Sequence, residues 1–269
     1  MTGLQINSAA AQPQIEVFDN ADAVAEGIAV KLLGVLQETV REEGLAHVSL
    51  TGGGAGIRTL KAAAALVAAD GVPTPDWTRV HFWWGDERLL PEDDPERNET
   101  QARQALLDLL VAEHGLPEDN IHPMPCSEEA AHPEAGAQMY AQQLEAHSPA
   151  GGVDGLAMPR FAVMLLGVGP DGHINSLFPG KKSLRVTGQA TTGESDAPPQ
   201  LGPPLRVTLT FSAVHTARRV WTGVTGADKA QAAAEALSAD PDVDRVPAAN
   251  ARGAQETIWH LDRDAAAAL

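Results

Sequence analysis

The sequence has few of the residues on which cross-linked or metal-stabilised folds depend. Cys126 is the only cysteine in the chain of 269 residues, which excludes an internal disulfide framework and a zinc cluster built from thiolates. It lies in a proline-rich stretch, IHPMPCSEE, without a recognisable partner, and we interpret it as an inert structural thiol. No group of histidines is clustered in the sequence either. We therefore expect neither a metal ion nor a cofactor.

Long apolar runs are also missing. The longest, residues 161–168, is far shorter than the roughly 20 residues that a membrane-spanning helix needs. Residues 1–14 have neither the basic region nor the apolar region of a secretory signal. These observations predict a cytoplasmic protein that does not interact with membranes.

Basic residues are scarce relative to acidic ones. The chain has 19 Lys and Arg against 36 Asp and Glu, a formal net charge of -17. Such an excess disfavours nucleic acids and anionic lipids as partners, because both are bound through Lys and Arg. A phosphorylated small molecule remains possible if basic groups are concentrated locally. The oligomeric state cannot be read from these features.

Short apolar strands alternate with amphipathic helices along the chain. Strands are predicted at residues 15–18, 47–50, 79–84, 161–166, 205–210, 220–224 and 257–261, and helices at 23–41, 57–69, 99–113 and 227–237. This alternation predicts an α/β fold, Rossmann-like, with a mostly parallel sheet covered by helices on both faces. Residues 187–204 are predicted to form one long surface loop. No linker divides the chain, and we expect a single domain over residues 1–269.

Three loops follow predicted strands, at the sheet edge where ligands bind in such folds. In the first, Gly52, Gly53 and Gly54 could bring backbone N–H groups close to an anion. A tight turn without a ligand is an equally good interpretation. The loop lacks the Lys-Ser/Thr pair of a nucleoside triphosphate site, so a nucleotide is not expected.

The second loop carries Asp86 and Arg88. Arg88 could bind a phosphate or carboxylate through its planar guanidinium, although a structural ion pair between the two side chains is the alternative. Lys229 lies near the start of the helix predicted at 227–237, where an ammonium group opposes the helix dipole. That position suggests a bound anion, with a plain surface lysine as the alternative.

The third loop, GVGPDGH at residues 167–173, places Asp171 two residues before His173. An imidazole with a nearby carboxylate is a plausible general base, and a buried histidine with only a structural hydrogen bond is the alternative. The glycines also match the G-x-G-x-x-G pattern of dehydrogenases. We reject that interpretation because Pro170 removes a backbone donor and Pro179 stops a helix almost at once.

Five blocks containing these loops resemble the 6-phosphogluconolactonase family, especially its actinobacterial branch. They run in family order through nearly the whole chain: LTGGGAGI (50–57), VHFWWGDERLLPEDDPERN (80–98), LLGVGPDGHINSLFPG (165–180), LRVTLT (205–210) and GADKAQA (226–232). The resemblance implies a fold related to glucosamine-6-phosphate deaminases and phosphosugar isomerases. It also implies hydrolysis of 6-phospho-D-glucono-1,5-lactone to 6-phospho-D-gluconate in the oxidative pentose phosphate pathway.

The resemblance assigns expected roles to individual positions. It implies that His173 is the general base and that Asp171 is its supporting carboxylate. The positions that match the family's substrate and phosphate contacts are Gly52, Gly53, Gly54, Asp86, Arg88, Asn98, Arg206 and Lys229. Two features depart from the family pattern: the glycine loop has no Ser-Thr-Pro, and the stretch DAPPQLGPP lacks the usual lysine.

Two other functions fit parts of the pattern. Glucosamine-6-phosphate deaminases share the glycine loop and the Asp-Gly-His loop, but they have a glutamate five residues after the histidine, where this chain has Phe178. An apolar ring cannot relay a proton, so hydrolysis fits better. A non-catalytic sugar-phosphate-sensing module usually brings a DNA-binding motif and a basic face, and the acidic chain has no segment left over for one.

Overall fold

We describe the protein from a computed structural model that defines residues 4, 6–7, 10–69 and 72–269. Nine strands occur in these residues: β1 (Pro13–Phe18), β2 (Ala46–Leu50), β3 (Val80–Trp84), β4 (Asp86–Arg88), β5 (Val163–Gly167), β6 (Thr191–Glu194), β7 (Arg206–Leu209), β8 (Arg219–Val224) and β9 (Glu256–Asp262).

The same residues form seven α-helices: α1 (Ala21–Glu43), α2 (Gly53–Ala68), α3 (Asn98–Ala102), α4 (Asp108–His114), α5 (Pro133–Ala146), α6 (Phe211–Thr216) and α7 (Ala230–Ala236). A π-helical turn, Arg103–Leu107, joins α3 to α4. The described helices include none that is long and apolar enough to cross a lipid bilayer.

The central sheet confirms the predicted α/β architecture. Six strands lie side by side in the order β1-β9-β8-β5-β2-β3, and every neighbouring pair is parallel. Strands β2, β5 and β8 are buried along almost their whole length, as expected for a sheet flanked by helices. All carboxyl ends of these strands therefore meet at one edge, and all amino ends meet at the opposite edge.

A second, smaller sheet corrects two of the predictions. Residues 205–210 do not join the parallel sheet, because β7 pairs in antiparallel fashion with β4 on one side and β6 on the other. The segment 187–204 is not one loop, since it contains β6 and a short 3₁₀ turn, Pro199–Leu201. Neither β4 nor β6 carries an apolar run. Their strand conformation is therefore determined by pairing with partner strands and by the packing of α5, and not by the local propensity of their residues.

Helix boundaries also differ from the sequence pattern at the glycine loop. The first helix begins at Ala21, close to its predicted start at residue 23, because the Asn20 side chain accepts from the first-turn N–H groups of Asp22 and Ala23. In contrast, α2 begins at Gly53, four residues before the predicted start at residue 57. Glycine has low helix propensity, which conceals this first turn in the sequence. The glycines therefore form the first turn of the helix instead of a separate loop.

Candidate functional site

A cleft of about 210 Å³ opens at the carboxyl edge of the parallel sheet. The three loops predicted to carry chemistry all contribute to it. Its lining includes each predicted substrate contact together with the predicted base: Gly52, Gly53, Gly54, Asp86, Arg88, Asn98, Arg206, Lys229 and His173. Asp171 does not line the cleft and lies behind the His173 ring, to which it is hydrogen bonded.

The His173 imidazole is held in one orientation by Asp171. Its Nδ1 donates to Asp171 Oδ1 at 2.5 Å, and the backbone N–H of His173 donates to the same oxygen at 3.2 Å. Because a carboxylate only accepts, the ring proton lies on Nδ1 and the Nε2 lone pair is left free. Burial acts to raise the pKa of Asp171, but the hydrogen bonds and charge of His173 outweigh this and lower it.

A tight turn brings these two side chains together. Gly172 has a φ of +82°, a left-handed conformation that glycine adopts without strain, and its N–H donates to Gly169 O at 2.9 Å. A side chain at Gly169 would place its Cβ 2.1 Å from His173 Nδ1. Gly169, the second glycine of the G-x-G-x-x-G match, therefore serves close packing against the imidazole. The Phe178 ring packs at a centroid distance of 4.7 Å from His173 on another side.

The first turn of α2 forms another wall of the cleft. Gly52 is the N-cap residue, so no cap side chain is present to accept from the first-turn N–H groups. The turn contains no acidic residue, so the partial positive charge of the helix start is uncompensated. A Cβ at Gly52 would lie 1.9 Å from Asn98 Oδ1, which explains why this position must be glycine. The arrangement suits a bound anion.

Three cationic side chains face the same cleft. Arg88 and Arg206 are paired in register on β4 and β7, so their guanidinium groups lie on neighbouring strands. Lys229 joins them from the turn before α7. None of the three forms an ion pair with any carboxylate of the described residues. Burial lowers the pKa of Arg206, with Asp86 opposing and Arg88 adding to the effect.

The contacts of Arg88 and Arg206 go to the backbone. Arg206 donates through Nε to Pro203 O and through Nη2 to Leu201 O, both at 2.7 Å. Arg88 donates through Nη1 to Glu96 O, while its buried Nε has no partner in the described residues. Carbonyl groups orient both guanidinium groups without neutralising their charge. An anion in the cleft would therefore supply the missing negative charge.

The sequence left open an ion pair between Asp86 and Arg88, and the structure does not form it. Its carboxylate accepts from Ser176 Oγ at 2.7 Å, and Asn98 Nδ2 donates to its backbone oxygen at 2.8 Å. These bonds join β4 to the start of α3 and to the segment after His173. Asp86 and Asn98 line the cleft, and the hydrogen bond between them also holds this part of the cleft wall in place.

Glu87 is a structural residue that the sequence analysis did not identify. Its side chain is 1% exposed, and the carboxylate accepts from the backbone N–H groups of Arg88, Asn98 and Glu99 at 2.8 to 2.9 Å. Burial raises its pKa to about 7, although the charge of Arg97 and the three N–H donors oppose this effect. Glu87 thus ties the Arg88 loop to the first turn of α3.

Asn175 was also missed as a cleft residue. It lines the cleft with a φ of +48°, and both polar atoms of its buried side chain lack a partner among the residues that the structure describes. An unpaired buried amide is costly, so these atoms are available to a ligand. The signal in the sequence was an asparagine two residues after His173, since Asn tolerates left-handed conformations better than most residues.

Cys126 agrees with its predicted interpretation as a structural thiol. The cysteine is buried, and burial raises the pKa of its thiol, which disfavours a reactive thiolate. Residues 91–95, which follow the Arg88 strand, are mostly exposed to solvent.

Comparisons with known proteins match almost the entire chain. The family model described as "Glucosamine-6-phosphate isomerases/6-phosphogluconolactonase" matches residues 19–259. The 6-phosphogluconolactonase of Streptomyces coelicolor is 42% identical over 259 residues, which are 96% of this chain and 95% of that protein. The 6-phosphogluconolactonase of Mycobacterium tuberculosis is 41% identical over 258 residues, 95% of this chain and 98% of the relative.

A solved structure supports the fold independently. The 6-phosphogluconolactonase of Trypanosoma brucei superposes with a TM-score of 0.79 at 24% identity, covering 96% of this chain and 99% of that one. At this identity the similarity establishes a shared fold.

We predict that Glu87→Ala destabilises the protein by about 3 kcal/mol, because three backbone N–H donors lose their buried acceptor. Urea unfolding of both proteins, compared at the same pH, measures the change. The control is Glu92→Ala in the exposed part of the same segment, which should change stability by less than about 0.5 kcal/mol. Equal stability of the two variants would contradict the role given to Glu87.

Proposed function

The chain belongs to the glucosamine-6-phosphate isomerase/6-phosphogluconolactonase family, and from this membership we propose that it hydrolyses 6-phospho-D-glucono-1,5-lactone to 6-phospho-D-gluconate. This reaction belongs to the oxidative pentose phosphate pathway. The observation that carries the proposal is one cleft that combines an Asp171–His173 pair with three cations that form no ion pair within the described part of the chain. A cytoplasmic location and a single domain over residues 1–269 remain predictions from the sequence.

His173 is proposed to act as the general base through Nε2, the nitrogen that Asp171 leaves free. It removes a proton from a water molecule as the oxygen attacks the C1 carbonyl of the lactone. The bond from C1 to the ring oxygen then breaks, and His173 returns the proton to that oxygen. The products are the carboxylic acid, which ionises, and the free hydroxyl group. Such assistance contributes about 10²- to 10⁴-fold in rate.

Asp171 supports both protonation states of this imidazole. Its hydrogen bond keeps the neutral ring in the tautomer that exposes Nε2, and its negative charge stabilises the imidazolium that forms during attack. The lowered pKa of Asp171 keeps the carboxylate ionised throughout. No metal is required by this mechanism.

The phosphate group is proposed to bind at the cationic side of the cleft. Arg88 and Lys229 are the groups assigned to it, and Arg206, on the strand beside Arg88, adds positive charge. The first turn of α2 offers backbone N–H groups in place of the hydroxyls that the glycine loop lacks. Binding energy at this remote group would then position C1 near His173.

Deamination is the nearest alternative within the same family. The residue five positions after His173 is Phe178, which is 1% exposed and packs against the imidazole. An apolar ring there offers no carboxylate for a ring-opening proton relay. A binding module without activity is also disfavoured, because such a module would not need a base with a free Nε2.

The proposed activity predicts rapid hydrolysis of freshly generated 6-phospho-D-glucono-1,5-lactone, corrected for its spontaneous opening. The assay should be run in EDTA, since the mechanism uses no metal. Glucosamine 6-phosphate, tested in parallel for ammonia release, should not be converted. Ammonia release at a rate comparable with hydrolysis would assign the chain to the deaminase branch, and no turnover of either compound would favour the binding module.

We predict that His173→Ala lowers kcat by about 100-fold or more while 6-phosphogluconate still binds, because the variant loses the base and retains the cationic groups. Stopped-flow hydrolysis and calorimetric titration with the product measure the two properties. His114→Ala, in a helix that does not line the cleft, is the matched control and should retain kcat. A near wild-type kcat in His173→Ala would reject the assigned base.

We predict that Lys229→Met raises KM and lowers kcat/KM by roughly 10- to 150-fold for the phosphorylated lactone, which corresponds to one charge-assisted contact of about 1.5 to 3 kcal/mol. Unphosphorylated gluconolactone should be a poor substrate for the native protein and should suffer little further loss in the variant. Lys182→Met, which removes an exposed lysine outside the cleft, is the control. An equal loss with both lactones would show that Lys229 does not serve the phosphate.

A further inference from the structure

Four histidines meet at the amino edge of the parallel sheet, opposite the cleft. His47 and His81 are the second residues of β2 and β3, whereas His173 follows the carboxyl end of β5. His122 follows a short 3₁₀ turn, and His147 is the C-cap residue of α5. The sequence showed no clustered histidine ligands, because the four residues come from separate segments of the chain.

The fold brings three of these imidazoles within ligand distance of one another. One ring nitrogen from each of His81, His122 and His147 lies within 4.8 Å of the other two. His81 Nδ1 and His122 Nε2 share a hydrogen bond of 2.8 Å, with the rings nearly coplanar at 4°. The His147 ring is inclined to His122 by 64°, with its centroid 4.4 Å away. One ring nitrogen of each histidine is therefore close enough to the other two to approach a single ion.

Backbone pairing fixes two of these side chains relative to each other. Ile121 forms a parallel bridge with Phe82, and the N–H of His122 donates to Phe82 O at 2.9 Å. This pairing places His122 beside His81 at the sheet edge. Trp83 then stacks on the His122 ring at a centroid distance of 4.0 Å. The position of His122 is thus set by the sheet and by an aromatic neighbour that limits its rotation.

Outer hydrogen bonds determine which nitrogens are free. His147 Nδ1 lies 3.1 Å from Gln143 O, and because a carbonyl only accepts, the ring proton is on Nδ1 and the Nε2 lone pair is exposed. Histidine ligands of metal ions are commonly oriented by such a carbonyl. In contrast, His47 Nδ1 accepts from Trp83 Nε1 at 3.1 Å, so the neutral His47 ring carries its proton on Nε2. His47 therefore stands outside the set of three.

We propose that His81, His122 and His147 form a binding site for a divalent transition-metal ion, with Zn²⁺ as the ion that fits best. Neutral imidazole is a preferred ligand of zinc, and three such ligands with one water complete a tetrahedral shell. Tetrahedral Zn–N bonds of about 2.0–2.1 Å set the ligand nitrogens about 3.3 Å apart. The 2.8 Å contact of His81 with His122 needs to open by only about half an ångström, with loss of its shared proton.

The cluster is accessible and carries no adverse charge. A cleft lined by His47 and His147 adjoins it, so a hydrated ion can reach the rings from solvent. The two arginines of that cleft are neutralised, since Arg218 pairs with Glu43 and Arg160 pairs with Asp154.

A bound ion would join three segments that are distant in sequence. It would connect β3, the chain after residue 120 and the end of α5. Its effect would be on stability, because the site lies at the opposite end of the strands from His173. The proposal is therefore independent of the proposed catalytic function.

Calorimetric titration of the untagged, EDTA-treated protein with Zn²⁺ tests the site. We expect one ion per chain and a rise in Tm of about 5 °C at a zinc concentration near 100 times Kd. His147→Gln and, separately, His81→Gln should weaken binding by about 100-fold or more, since even the loss of an outer partner costs about 10- to 100-fold. Far-UV circular dichroism of the zinc-free variants checks that they fold.

Two controls locate the ion. His114→Gln removes a histidine outside the cluster, and His173→Ala removes the imidazole of the catalytic cleft; both should bind zinc as the native protein does. Loss of binding in His173→Ala with retention in His147→Gln would place the ion in the cleft and overturn the proposal. The absence of a saturable site in the native protein, or equal affinity in the native protein and both cluster variants, would also overturn it.

Discussion

Parallel pairing of β2, β5 and β8 is the constraint on which the functional regions of this protein depend. A parallel sheet gathers all carboxyl ends at one edge and all amino ends at the other. The glycine turn after β2, the His173 loop after β5 and Gly223 of β8 consequently meet in one cleft. The same rule brings His47 and His81, each second in its strand, together at the far edge. One topological fact thus produces both the cleft and the histidine cluster.

The cleft has a charge opposite to that of the whole molecule. The chain carries a formal net charge of -17, yet Arg88, Arg206 and Lys229 face the cleft without ion pairs among the described residues. Nearby acidic groups are used elsewhere: Asp86 accepts from Ser176, and Glu87 accepts from backbone N–H groups. Because these carboxylates bind neutral donors, the cations remain available to an anionic ligand.

Positions that violate local preferences concentrate around the cleft. Gly169 is required by contact with the His173 ring, and Gly52 by contact with Asn98. Asn175 adopts a left-handed conformation and keeps its amide unpaired. Deviations of this kind are maintained only where the surrounding structure compensates for them. Here these positions allow the His173 imidazole, the first turn of α2 and the Asn175 amide to lie close together around the cleft.

The sequence by itself determined the architecture and most of the candidate site. Strands β2 and β5 are recognisable in the sequence as short apolar runs, because a strand buried on both faces does not alternate apolar with polar residues. The loops that follow them were identified from residue chemistry that is local in sequence, as with Asp171 and His173. These features depend on residues that are neighbours in the sequence, so a sequence pattern is enough to identify them.

Only the tertiary structure decided the remaining features. The strands β4 and β6 have no apolar pattern and exist through pairing with β7. The buried acceptor role of Glu87 and the meeting of His81 with His122 and His147 likewise join segments separated in the chain. Hydrogen bonds and shared ligand sites form between residues that are close in space, and periodicity along the chain does not encode which residues these are. The sheet register and the packing of α5 bring them together.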